Sequence, residues 1–94
     1  MLKGPPLAAF AQLQQHAILA TRLPVWTALS HLFLDTELDA HDVGRIARVL
    51  EQSPYVTSEI EAILRDEVLP AFGGNLLSTW GMVEDDWRRV RALL

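Results

Sequence analysis

The chain predicts an all-α fold: a compact antiparallel bundle of about five helices in a single domain. Three observations carry this. Apolar residues recur at three- and four-residue spacing along most of the sequence. Prolines and glycines divide it into helix-sized pieces, and no alternating run is long enough for a strand. Ninety-four residues suit one domain, for which a radius of gyration of roughly 12 Å is expected.

Taken in order, Pro5 and Pro6 can open a first helix, where a missing N–H does no harm, and it should run to about Ala20. Leu7, Phe10, Ala11, Ala17, Ile18 and Thr21 fall on one side of it, with Gln12, Gln15 and His16 opposite. Pro24 starts a second helix to Leu34, whose face of Val25, Trp26, Ala28, Leu29, Leu32 and Phe33 marks it as the central core element. Thr27, Ser30 and His31 point away. Asp39 is an N-cap for a third helix to about Gln52, with Asp42 favouring the positive end of its dipole. Val43, Ile46, Ala47 and Leu50 make its buried stripe, against Arg45, Arg48 and Gln52 in water.

Ser53-Pro54 ends that helix. Ser58 and Glu61 have capping-box spacing for a fourth, with a seam of Ile60, Ile63, Leu64 and Val68. Pro70 should kink or close it before Gly73-Gly74. Asn75 can cap a short turn through Trp80, with Gly81 as its stop. A last helix from about Glu84 to Leu93 then aligns Val83, Trp87, Val90 and Leu94. Its acids precede its arginines, the order the helix dipole prefers.

Composition excludes several functions. There is no cysteine, which removes disulfides, thiol nucleophiles and thiolate metal sites and suits a reducing cytoplasm. No apolar run approaches the roughly 20 residues of a membrane span. Gln12, Gln14, Gln15 and His16 interrupt any signal-peptide core, so the first helix should remain on the protein. Net charge is −4 and unevenly spread: from Asp35 to Glu67, nine acids face three arginines, leaving that third at −6 and the remainder at +2. Such a field repels phosphate backbones and attracts basic surfaces, which disfavours nucleic-acid binding.

No reactive constellation emerges. Asp35-x-Glu37-x-Asp39 begins like a calcium loop, but its sixth and twelfth positions hold Ala40 and Ile46 in place of glycine and glutamate. His16, His31 and His41 lack the spacing that puts two imidazoles on one helix face. No nucleophile elbow or phosphate loop occurs. The expectation is therefore no enzyme, no cofactor, and no catalytic or metal residue.

Glu67 stands apart, because the helical wheel puts it among Ile60, Ile63 and Leu64. A carboxylate there requires hydrogen bonds, from backbone amides or a tryptophan N–H; the alternative is that it lines a partner pocket. Trp26 and Trp87 read as core, whereas Trp80, beside Gly81, is the tryptophan best placed for exposure as an interface anchor. The candidate partner-binding set is Asp35, Glu37, Asp39 and Asp42 with Trp80, joined by Glu59, Glu61 and Asp66 if the fourth helix lies alongside. A capped, solvated connection is the plainer reading of the same acids.

Leu23-Pro24-Val25-Trp26, Leu32-Phe33-Leu34-Asp35-Thr36-Glu37, Ile46-Ala47-Arg48-Val49-Leu50, Asp66-Glu67-Val68-Leu69-Pro70 and Asn75-Leu76-Leu77 follow one another in an ordered set. This set, over roughly residues 23–87, resembles a family of short bacterial proteins of unknown function, with residues 1–22 as an N-terminal helical extension. The resemblance implies a bacterial source and a compact helical fold, and it carries no site residue across. The leading functional expectation is a cytoplasmic immunity or antitoxin protein. It would be a toxin inhibitor, occluding a basic toxin domain through an acidic helical surface. The alternative is a regulatory or scaffold module for protein binding, self-associating as a homodimer to extend a thin core.

Overall fold

The computed structural model describes residues 7–34, 37–72 and 76–94, with side chains for 18–34, 37–72 and 79–94. The expected segments Pro5-Pro6, Asp35-Thr36 and Gly73-Gly74-Asn75 lie outside the described residues. Four helices and no strand account for those residues, one helix fewer than expected. They are α1 (Leu7–Leu34), α2 (Ala40–Glu51), α3 and α4 (Leu76–Arg91). Helix α3 runs as Thr57–Ile63, widens into a π-helical turn over Leu64–Val68 and closes as Leu69–Ala71.

The difference from five helices lies at two punctuating residues. Pro24 does not start a helix; it sits inside α1. Its ring is exposed, as is Ala20, so the carbonyl that loses its donor can be hydrated. Meanwhile Val25, Ala28, Leu29 and Leu32, directly after the proline, are all buried. Their burial, of the order of 1.5–3 kcal/mol for each large side chain, outweighs the roughly 3 kcal/mol a mid-helix proline costs. Gly81 likewise does not stop a turn but lies inside α4, which begins at Leu76 rather than near Glu84.

The apolar seams converge on one core. Val25 and Leu29 of α1, Leu50 of α2, Ile60 and Leu64 of α3, and Val83, Trp87 and Val90 of α4 are its fully buried members. Of the last helix's expected seam, Leu94 alone is exposed. Ile18, placed by the wheel on a buried side of the first helix, is also exposed. At that level α1 has outrun the other helices. A 28-residue helix is about 42 Å long, against shorter molecular extents of 28 and 20 Å. That length raises the radius of gyration to 16.3 Å, above the compact expectation.

Caps fix the starts of α2 and α3. Asp39 accepts from the Asp42 N–H at 2.8 Å while Asp42 accepts from the Asp39 N–H at 3.3 Å, a complete capping box. For α3 the expected Ser58–Glu61 box is displaced two residues upstream: Val56 precedes the helix and its N–H donates to Glu59 at 3.0 Å. Glu61 is thereby left for a different task. Tyr55, in the α2–α3 connection, ties it to α1 through a 2.7 Å hydroxyl contact with Thr21.

Candidate functional site

Two surfaces and one polar lock are candidates. The lock is built around Glu67, in the π-helical turn of α3. Its Oε1 accepts both the Trp26 indole N–H at 2.9 Å and the Arg22 Nε–H at 3.1 Å. The Arg22 guanidinium also lies over the Tyr55 ring at 4.8 Å. Trp26 and Glu67, with Ser30, Val68, Ala71 and Phe72, line a recess of about 350 Å³. Phe72 stacks on Phe33 nearby, centroids 4.7 Å apart. Of the alternatives the sequence left open for Glu67, backbone amides, a tryptophan N–H or a place in a partner pocket, the structure shows the tryptophan N–H and a position lining this recess; the arginine was not foreseen, since it lies 45 residues away.

The acid-rich segment does not behave as one free patch. Asp35 lies outside the described residues. Asp39 and Asp42 cap each other's backbone, and Asp42 also pairs with Arg45 at 3.1 Å. The hydrogen bond from the Asp42 N–H holds the Asp39 carboxyl below its ordinary range. Glu59 is committed to the Val56 N–H. Glu61 accepts from the buried Trp87 indole at 3.0 Å and pairs with Arg65 and Arg91. Of the expected set, Glu37, Asp39, Glu59 and Asp66 are exposed acids without an ion pair among the described residues, and Asp39 and Glu59 of these are taken up in helix caps.

Helix α4 explains much of this. Arg89 donates to the Leu38 carbonyl at 2.8 Å, beside the start of α2, and Arg91 reaches Glu61. Arg91 thus pairs with an acid of the middle third, whereas Arg88 and Arg89 pair with Glu84, Asp85 and Asp86 of their own helix. Trp80 is half-buried against the core, with Arg65 5.6 Å from its ring centroid, so it is not the freely exposed anchor the sequence suggested.

Asp39, His41 and Asp42 do bring ligand-type atoms within 4.8 Å of one another. Both carboxylates there are already engaged in the capping box and with Arg45, so a cation would compete with the bonds that start α2.

The second surface was not legible as a site. Between α1 and α2 runs an apolar groove of about 610 Å³, lined by Ala20, Leu23, Pro24, Thr27, Ala28, Ile46 and Val49, with His31 and Arg45 at its polar margin. Leu23 on its rim lies between Leu19 and Leu34 along the helix, and both of these are exposed. Across all 28 residues of α1 the single Lys, Arg, Asp or Glu is Arg22, and that is turned to Glu67. The outward side of the helix thus carries no formal charge. The signal was present as the near absence of charge in this stretch, but reading it as two amphipathic helices hid it.

Among the described residues no helix is long and apolar enough to cross a membrane. A family model described as Domain of unknown function (DUF7079) matches residues 20–91, which contain the buried Val25, Ala28, Leu29 and Leu32 of α1 and the three later helices. No curated protein and no solved structure matches.

Proposed function

We propose that this chain, which belongs to the DUF7079 family of unknown function, is a non-catalytic protein-interaction module that works through the groove between α1 and α2. One observation carries the reading: on the groove side of α1 Leu23, Pro24 and Leu34 are exposed, and the one charged residue of the helix, Arg22, is turned away to Glu67. Clustered exposed apolar side chains mark interaction sites in soluble proteins. Groove walls of alanine, threonine and proline offer shape and dehydration rather than chemistry, which suits an apolar helix of a protein partner. A bacterial, cytoplasmic setting belongs to the same proposal.

The immunity reading is second. It is favoured by the net charge of −4 and by Glu37, Glu51 and Asp66, exposed acids free of ion pairs among the described residues. Its electrostatic basis is weaker than the sequence suggested, because Asp42, Glu61 and Glu67 are neutralised by the chain's own arginines. The test is capture of partners from native cells with the tagged full chain and with Thr27→Glu, a charge placed in the groove at an exposed position. Capture of a protein, including an untagged copy of this chain, that is lost with Thr27→Glu supports the module reading. Capture that survives Thr27→Glu but falls away in high salt supports the acidic surface instead. Recovery of nothing by the wild-type chain removes both.

A further inference from the structure

We infer that the recess between α1 and α3 is a binding site for a primary ammonium group carried on a small apolar body. It shares no lining residue with the α1–α2 groove, so it goes beyond the interaction-module reading.

The polar atoms lining the recess define what it can hold. Both side-chain donors there are spent within the chain: the Trp26 indole N–H goes to Glu67 Oε1, and the Ser30 hydroxyl goes to the Trp26 carbonyl at 2.6 Å. Acceptors remain. Glu67 Oε2 receives no hydrogen bond among the described residues, and since no buried side-chain oxygen there lacks a partner, Oε2 is open to solvent. The Ser30 oxygen keeps its lone pairs. A recess whose free groups all accept selects a ligand that donates, and a carboxylate acceptor favours a cationic donor.

The state of the carboxylate selects the kind of cation. A guanidinium binds best as a fork across both oxygens. Here Oε1 is already held by Trp26 and by Arg22, so the fork is closed. An ammonium needs a single oxygen, and its further N–H groups can use Ser30.

The walls supply the apolar body's place. The Trp26 ring is fixed by its bond to Glu67, and Phe72, 41% exposed, is fixed by stacking on Phe33 at 4.7 Å. Rings set in advance cost little ordering on binding, and aromatic faces attract a nearby cation. At about 350 Å³ the recess lies at the small end of ligand pockets, which suits one aryl ring or one lysine-length chain. Glu67 also sits in a π-helical turn, a feature frequent at functional sites.

Titration of the ¹⁵N-labelled full chain at pH 7 with 2-phenylethylammonium, followed by NMR, tests this. The Trp26 indole N–H, assigned by its loss in Trp26→Phe, and the Val68 and Ala71 amides should shift saturably. A Kd of about 1 mM is expected for so small a ligand. The neutral 2-phenylethanol should bind at least about fivefold more weakly, and phenylacetate should not bind. Glu67→Gln keeps an acceptor for Trp26; it should weaken the ammonium at least about fivefold and leave the alcohol unchanged, with circular dichroism checking that the variant stays helical. N-acetyl-lysine methylamide distinguishes the sources: equal shifts by it point to a protein's lysine, and shifts by the arylamine alone point to a free amine. Absence of saturable shifts with either amine, equal binding of the alcohol, or undiminished ammonium binding by Glu67→Gln overturns the proposal and leaves the groove reading intact.

Discussion

The Glu67 lock makes a quantitative demand on stability. Its carboxylate is 34% exposed and its Arg22 partner 24% exposed, so solvent screens the ion pair and about 0.5–1 kcal/mol is the appropriate scale for it. The indole bond to a charged acceptor adds about 1.5 kcal/mol. Glu67→Gln keeps an acceptor for Trp26 and loses the charge, so it should cost about 1 kcal/mol. Glu67→Ala loses both bonds and should cost about 2 kcal/mol. In a 94-residue domain those losses correspond to Tm decreases of roughly 5 and 10 °C. Urea unfolding followed by circular dichroism at 222 nm measures them. The decisive form is a cycle with Trp26→Phe, which removes the N–H and retains an aromatic ring, so packing losses cancel between its two legs. A coupling of about 1 kcal/mol is expected. Coupling under about 0.3 kcal/mol would refute the bond as a contributor, whatever the single variants cost.

Three further outcomes follow from the same packing. Gly44→Ala and Gly81→Ala lie within helices with nothing within 4 Å of the added methyl, so each should stabilise by about 0.5–1 kcal/mol in urea melts. Glu61→Ala strands the indole N–H of Trp87, a residue 1% exposed, and should lower stability by about 2 kcal/mol; Glu61→Gln, which keeps an acceptor, should lose clearly less. Asp39 has a lowered folded-state pKa, so its contribution is present above the unfolded value near 4 and is lost as pH falls through the folded one. Stability of the wild-type chain should therefore drop below about pH 4 more steeply than that of Asp39→Asn, measured by urea midpoints across pH 2–6.

What the sequence revealed depended on whether a signal was local. Buried stripes were legible because periodicity is set within one helix: Val43, Ile46, Ala47 and Leu50 are all buried, as are Ile60, Ile63, Leu64 and Val68. The Asp39 cap was legible for the same reason. Boundaries at Pro24 and Gly81 were misjudged because local breaking tendencies lost to tertiary burial of the residues that follow, Val25, Ala28 and Leu29 in the one case and Val83 and Trp87 in the other. The long-range pairs of Glu61 and Glu67 were not legible. Glu61 meets Arg91 across 30 residues and Glu67 meets Arg22 across 45, so summing charge along the middle third counted as free what folding pairs with distant arginines. The groove was hidden for a related reason, since Ile46 and Val49 come to it from α2.

The π-helical turn shows how one backbone device produces both core and lock. In uninterrupted α-helical register Leu69, nine residues and two and a half turns beyond Ile60, would face away from the seam that Ile60, Ile63 and Leu64 define. Glu67 would sit near the middle of that seam, an unfavourable place for a carboxylate. Instead the Leu69 N–H bonds the Leu64 carbonyl, five residues back, which widens the turn by one residue. Leu69 is buried as a result, and Glu67 is carried to the half-buried edge where Trp26 and Arg22 meet it. Pro70 supplies a cause, since its ring cannot donate to the Asp66 carbonyl and would clash with it in a regular helix. The same residue that was expected to end α3 thus resets its register, and the lock that joins α3 to α1 depends on that reset.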